Sequence, residues 1–82
     1  MVHPSAGRIR RAREALPGDG GRHLSRQELA HRIGVSLTTL YRWEREGIHR
    51  RRDADKLVRL AQELGKPLDW LLGGGPDEPP PR

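Results

Sequence analysis

The feature that most constrains the fold is the glycine inside ELAHRIGVSLTTLYRWEREG, residues 28–47, which separates two runs of helical periodicity. Before it, Leu29, Ala30 and Ile33 recur at the spacing of one helix face; after it, Leu40 and Trp43 do the same. Gly34 can take a positive φ that a side chain would resist, so the chain turns sharply and brings the two faces together. Ala30 is small where the helices would cross closely. Ser25 opens SRQE, with Glu28 three residues on. In this capping-box pattern the serine side chain accepts from the backbone and the glutamate reaches back. Ser36 is the N-cap of the second helix, which runs to about Glu46 before Gly47.

The flanking segments extend the helical pattern. RIRRAREAL places Ile9, Ala12 and Leu16 on one face with arginines between them, and Pro17 with GDGG predicts a flexible loop through Arg22 and His23. Asp53 can cap a fourth helix in which Leu57, Leu60, Ala61 and Leu64 form one buried stripe, closed by Gly65. Pro67 suits the first turn of a short last helix carrying Leu68, Trp70, Leu71 and Leu72. GGGPDEPPPR has too little apolar surface to fold and is expected to be a disordered tail. No strand-like alternation and no internal repeat are present. The expectation is an all-α chain: a flexible N-terminus over 1–7, five helices within 8–74, and a Pro-rich disordered tail over 75–82.

Charge is distributed unevenly. The 82 residues carry 16 Lys and Arg against 11 Asp and Glu, a formal charge of +5. Residues 1–59 hold 14 basic and 7 acidic side chains, whereas 60–82 hold 2 and 4. Fourteen of the cations are Arg, whose planar fork suits phosphate oxygens and guanine edges, although GC-rich coding also raises Arg content. The absence of Cys excludes disulfides and thiolate metal sites. No apolar run approaches the roughly 20 residues of a membrane span, and MVHPSAGRIRR lacks a signal peptide's apolar centre, so a cytoplasmic protein is expected. Three aromatics (Tyr41, Trp43 and Trp70) and no Phe imply a small aliphatic core, marginal enough to make self-association an expectation.

Two helices joined at Gly34 in this way follow the sequence logic of a helix-turn-helix. With Leu40 and Trp43 turned inward, the second helix presents Leu37, Thr38, Tyr41, Arg42 and Arg45 outward. Such a stripe matches a helix entering the DNA major groove by its N-terminal residues. Leu37 offers methyl contact to thymine, Thr38 a hydroxyl to a base edge, and Arg42 a fork for guanine O6 and N7. Tyr41 is expected among the base contacts, with a phosphate reached through its hydroxyl or a place along the groove wall as alternatives. An ordinary helical hairpin with a stray exposed Leu37 is the blander alternative.

LSRQELAHRIGVSLTTLYRWERE, followed by DKLVRLAQELGKPLDWLLGG, resembles the phage-repressor family of helix-turn-helix regulators, the Cro and Xre-like proteins, over Arg8 to Gly74. The resemblance implies a five-helix lambda-repressor-like domain that binds operator DNA, usually as a homodimer, and regulates transcription. It implies base contacts at Leu37, Thr38 and Arg42, and a phosphate contact at Arg26, where the family commonly has Gln. Gln27, Ser36, Thr39 and Arg45 are further expected phosphate contacts, with Arg50 and Arg51 clamping the flanking backbone unless the Arg50–Arg52 run is simply a solvated charge run. Three features depart from the family pattern. WEREG has one residue more before Gly47, Ala54 replaces a larger apolar residue, and the Pro17–His23 loop is longer.

Other readings carry less. The four histidines have no i, i+4 partner, so no metal and no cofactor are expected. A buried acid–base pair is not expected in so small a bundle, Asp53, Asp55 and Glu63 read as surface ion pairs, and no enzyme is indicated. TTLYRWEREGI also resembles MerR and excisionase proteins, but those start at the motif and continue in strands. The remaining alternative is an antitoxin or adaptor on the same fold, with Trp70 and Leu72 meeting a protein partner, although Trp70 reads more as a core plug sealing the end of the bundle.

Overall fold

The computed structural model describes residues 5–48 and 54–74. The Asp53 cap, Arg50 to Arg52 and the tail 75–82 lie outside the described residues. Among those described there are five α-helices and no strand: α1 Arg8–Glu14, α2 Arg26–Ile33, α3 Leu37–Glu46, α4 Ala54–Leu64 and α5 Leu68–Leu71. The α2–α3 pair packs at the centre, with α4 against α2, α1 against α3 and α4, and α5 against α4. Their inner faces meet in one core of Ile9, Ala12, Leu24, Leu29, Ala30, Ile33, Leu40, Ile48, Leu57, Leu60, Leu64, Trp70 and Leu71. Val35, Trp43, Ala61, Leu68 and Leu72 pack on its margin. Each fully buried aliphatic side chain contributes about 1.5–3 kcal/mol by leaving water.

The turn between α2 and α3 is made as its residues dictate. Gly34 sits at φ +75, ψ +35, and its N–H donates to His31 O at 3.3 Å while Val35 N–H reaches Ala30 O at 3.1 Å. This pair of bonds is the Schellman arrangement, which satisfies two carbonyls that the helix end leaves open. Two residues later Ser36 Oγ accepts from Thr39 N–H at 3.0 Å and caps α3. The extra residue of WEREG is absorbed as helix: α3 runs to Glu46, and Gly47 N–H donates to Trp43 O at 3.0 Å. Pro67 stands at the N-cap of α5 rather than within its first turn.

The connector after α1 corrects the expectation of a flexible loop. Leu24 N–H donates to Leu16 O and Gly18 N–H to Arg22 O, both at 2.7 Å, and Pro17 and His23 form an antiparallel bridge. A Cβ at Gly18 would stand 2.8 Å from His23 O and from Leu24 Cα, both backbone atoms, so only glycine fits this approach. Ser25 Oγ accepts from Glu28 N–H at 3.0 Å, the expected first half of the capping box. The Glu28 carboxylate also accepts from Asp19 N–H at 3.0 Å, pinning the loop to α2. That amide, helped by Ser25 and Arg32, holds the Glu28 pKa below its ordinary value. A carboxyl whose pKa is lowered on folding stabilises above its unfolded pKa, about 4.3, and the gain is lost as pH falls through the lower folded value. Glu28→Gln is therefore expected to lower the thermal midpoint at neutral pH, with the gap to wild type closing below about pH 4. A gap unchanged down to pH 2.5 would refute the Asp19 tether.

Burial corrects one further expectation and bears out another. Residues 5–7, expected in the flexible N-terminus, are docked: Ser5 is buried and its Oγ accepts from Ile48 N–H at 2.7 Å, while Gly7 N–H donates to Glu44 O at 3.2 Å. Trp70, read more as a core plug than as a partner contact, is that plug: it is only 5% exposed, and the Arg8 guanidinium lies 5.3 Å from the Trp70 ring centroid. Leu72 is half-buried on the core margin. Trp70 thus seals the bundle beneath Arg8.

Candidate nucleic-acid interface

The outward side of α3 is built from what the core does not use. Leu40 faces in and is fully buried, while Trp43 is half-buried at the core margin. The solvent side of α3 holds Leu37 at 48% and Tyr41 at 45% exposure, with Thr38, Arg42 and Arg45 also exposed. Neither this exposed leucine nor the exposed tyrosine belongs to the core or its margin. Among the described residues no carboxylate lies within ion-pair distance of Arg42 or Arg45. Helix α3 therefore offers methyls, a hydroxyl, a phenol ring and two guanidiniums on one face.

The remaining expected contacts surround this stripe. Ser36 Oγ also donates to Thr39 Oγ1 at 2.9 Å, so both hydroxyls are positioned at the N-terminus of α3. Gln27 is exposed in the first turn of α2. Arg26, the first residue of α2, reaches across to α3, where its guanidinium lies 4.8 Å from the Tyr41 ring centroid. The Arg45 guanidinium lies 5.8 Å from the same centroid. Arg10 of α1, absent from the expected contacts, joins Arg26, Tyr41, Glu44 and Arg45 around a cleft of about 220 Å³.

Under this cleft lies the main feature that sequence reasoning missed. Arg13 Nε and Nη2 each donate to a different oxygen of Glu44 at 3.0 Å, and Arg13 Nη1 donates to Leu24 O at 2.9 Å. The two side chains are 5% and 3% exposed, a buried ion pair that the sequence pattern alone did not announce. Arg26 Nε stands 3.3 Å from Glu44 Oε2, giving one carboxylate two arginine neighbours. A bidentate fork with a third bond to a carbonyl satisfies the charges well enough to keep them out of water. A signal was available: Glu44 follows Leu40 by four residues and Arg13 follows Ile9 by four, so both lie on inner faces. Arg8 is likewise buried and donates from Nη1 to Trp70 O and Gly74 O, both at 2.7 Å. Part of the arginine excess therefore serves the interior rather than a polyanion. The surface pair expected at Glu63 is present with Arg32 at 3.8 Å.

A family model described as helix-turn-helix matches residues 21–71, more than half of the chain. The chain belongs to the Cro/C1-type helix-turn-helix family. The match spans α2, α3, α4 and α5, so the all-helical arrangement is that family's lambda-repressor-like fold, and this helix-turn-helix protein is a DNA-binding regulator by family. No curated protein matches the chain. No helix among the described residues is long and apolar enough to cross a membrane.

Proposed function

We propose that this helix-turn-helix protein is a sequence-specific, cytoplasmic transcriptional regulator that inserts α3 into the major groove and represses by occupying its operator as a homodimer. The exposed Leu37, Thr38 and Arg42 of α3 carry this reading, because none of them belongs to the core. Leu37 and Thr38, at the N-terminal end of α3, meet the bases first; Arg42, one turn further, forks onto a guanine. Arg26, Gln27, Ser36, Thr39 and Arg45 hold neighbouring phosphates and set the register, and Arg50 and Arg51 add to the backbone clamp. A two-fold pair of domains reads two half-sites about one helical turn apart.

Selection of bound sequences from a random duplex library tests this directly, since it reports base preference and half-site spacing together. Arg42→Ala is expected to lose about 1–3 kcal/mol on the selected site and to relax preference at one base pair. Arg26→Ala is expected to weaken all sequences alike and to flatten the dependence of affinity on salt. If neither substitution alters affinity for the selected site, the docking face lies elsewhere on the molecule.

A further inference from the structure

We infer that Tyr41 is a positioning residue rather than a base reader: its ring gathers Arg26 and Arg45 at a cleft that, with Arg10, takes one phosphate of the DNA backbone. The inference rests on the proposed docking of α3 and deepens it.

The geometry carries the assignment. Two guanidiniums repel one another unless something between them compensates. Here both lie within the roughly 6 Å at which an aromatic face attracts a cation, 4.8 Å for Arg26 and 5.8 Å for Arg45. The Glu44 carboxylate below them carries one charge, divided between the Arg13 fork and Arg26 at 3.3 Å, so it offsets only one of the guanidiniums gathered there. Arg10, on the third side, pairs with Glu14 at 3.3 Å, but those side chains are 62% and 38% exposed, and such pairs are worth little. The cluster of Arg10, Arg13, Arg26 and Arg45 thus outweighs Glu14 and Glu44, around about 220 Å³ of open cleft. The unmet positive charge calls for an anion, and guanidinium forks favour a phosphate oxygen pair. With the arginines already gathered on the ring, less side-chain freedom is lost when the phosphate arrives. A ring occupied on its face by two cations is poorly placed to read a base.

The full-length chain, its selected duplex and a random duplex test this, with affinity measured across a series of salt concentrations. Tyr41→Phe keeps the ring and is expected to bind within about twofold of wild type, because the attraction comes from the ring face. Tyr41→Leu is expected to lose roughly tenfold on both duplexes and to flatten the salt dependence by about one ion's worth, with base preference intact. Arg10→Gln, on an exposed side chain that leaves the core untouched, is expected to flatten it by a similar amount. The assignment is overturned if Tyr41→Leu changes preference at one base pair while the salt dependence stays put. It is also overturned if Arg10→Gln leaves both affinity and salt dependence unchanged. Should the wild-type chain bind no duplex at any salt, the regulator reading fails first and the cleft assignment with it.

Discussion

Glu44→Leu is expected to destabilise this protein by about 3–5 kcal/mol, the largest effect of any single substitution considered, because it strands the Arg13 guanidinium in the interior. The Glu44 side chain is 3% exposed and accepts from Arg13 through both oxygens, while Arg26 stands 3.3 Å from one of them. In a domain of this size each kcal/mol lowers the midpoint by roughly 4–8 °C, so thermal unfolding followed by circular dichroism resolves the effect easily. Arg13→Met is expected to cost less, since Glu44 keeps Arg26 as a partner. The double variant Arg13→Met/Glu44→Leu is expected to recover most of the loss, since apolar replacements of a whole buried pair are often neutral or better. A Glu44→Leu variant within 1 kcal/mol of wild type would show that the carboxylate is not the partner of Arg13 in solution.

Leu40→Ala is the second large effect, about 2–5 kcal/mol, because Leu40 is fully buried where α3 meets the core. Its informative companion is Leu37→Ala, three residues away on the same helix and 48% exposed. That change is expected to leave stability within about 0.5 kcal/mol, as for most surface substitutions, while weakening binding to the selected duplex. Chemical denaturation of the two variants measures which side of α3 faces the core without reference to DNA. If Leu37→Ala were the costlier of the pair, Leu37 would belong to the core and drop out of the reading stripe.

Much of the fold was legible because its signals are local. The Gly34 turn, the Ser25 and Ser36 caps and the apolar stripes of α2 and α4 depend on residues one to four positions apart. The outward face of α3 follows from the same periodicity, once Leu40 is assigned to the core. The Pro17–His23 connector illustrates where this stops. Its glycines signal freedom, yet Gly18 is required because it passes within 2.8 Å of the backbone at His23 and Leu24. Composition identifies residues able to turn, but only neighbours in space reveal whether the turn is tied down.

The sequence by itself determined the five helices, the sharp α2–α3 turn and which side of α3 would be left for a partner, since these rest on helical periodicity, capping and a single positive φ. Only the tertiary structure decided what each arginine does. Arg8 and Arg13 lie inside on Trp70 O, Gly74 O, Leu24 O and Glu44, whereas Arg10, Arg26 and Arg45 converge on a cleft around Tyr41. The reason is reach: a guanidinium on its long stem meets carbonyls, carboxylates and rings from segments far along the chain, and its partner is settled only when the helices have packed.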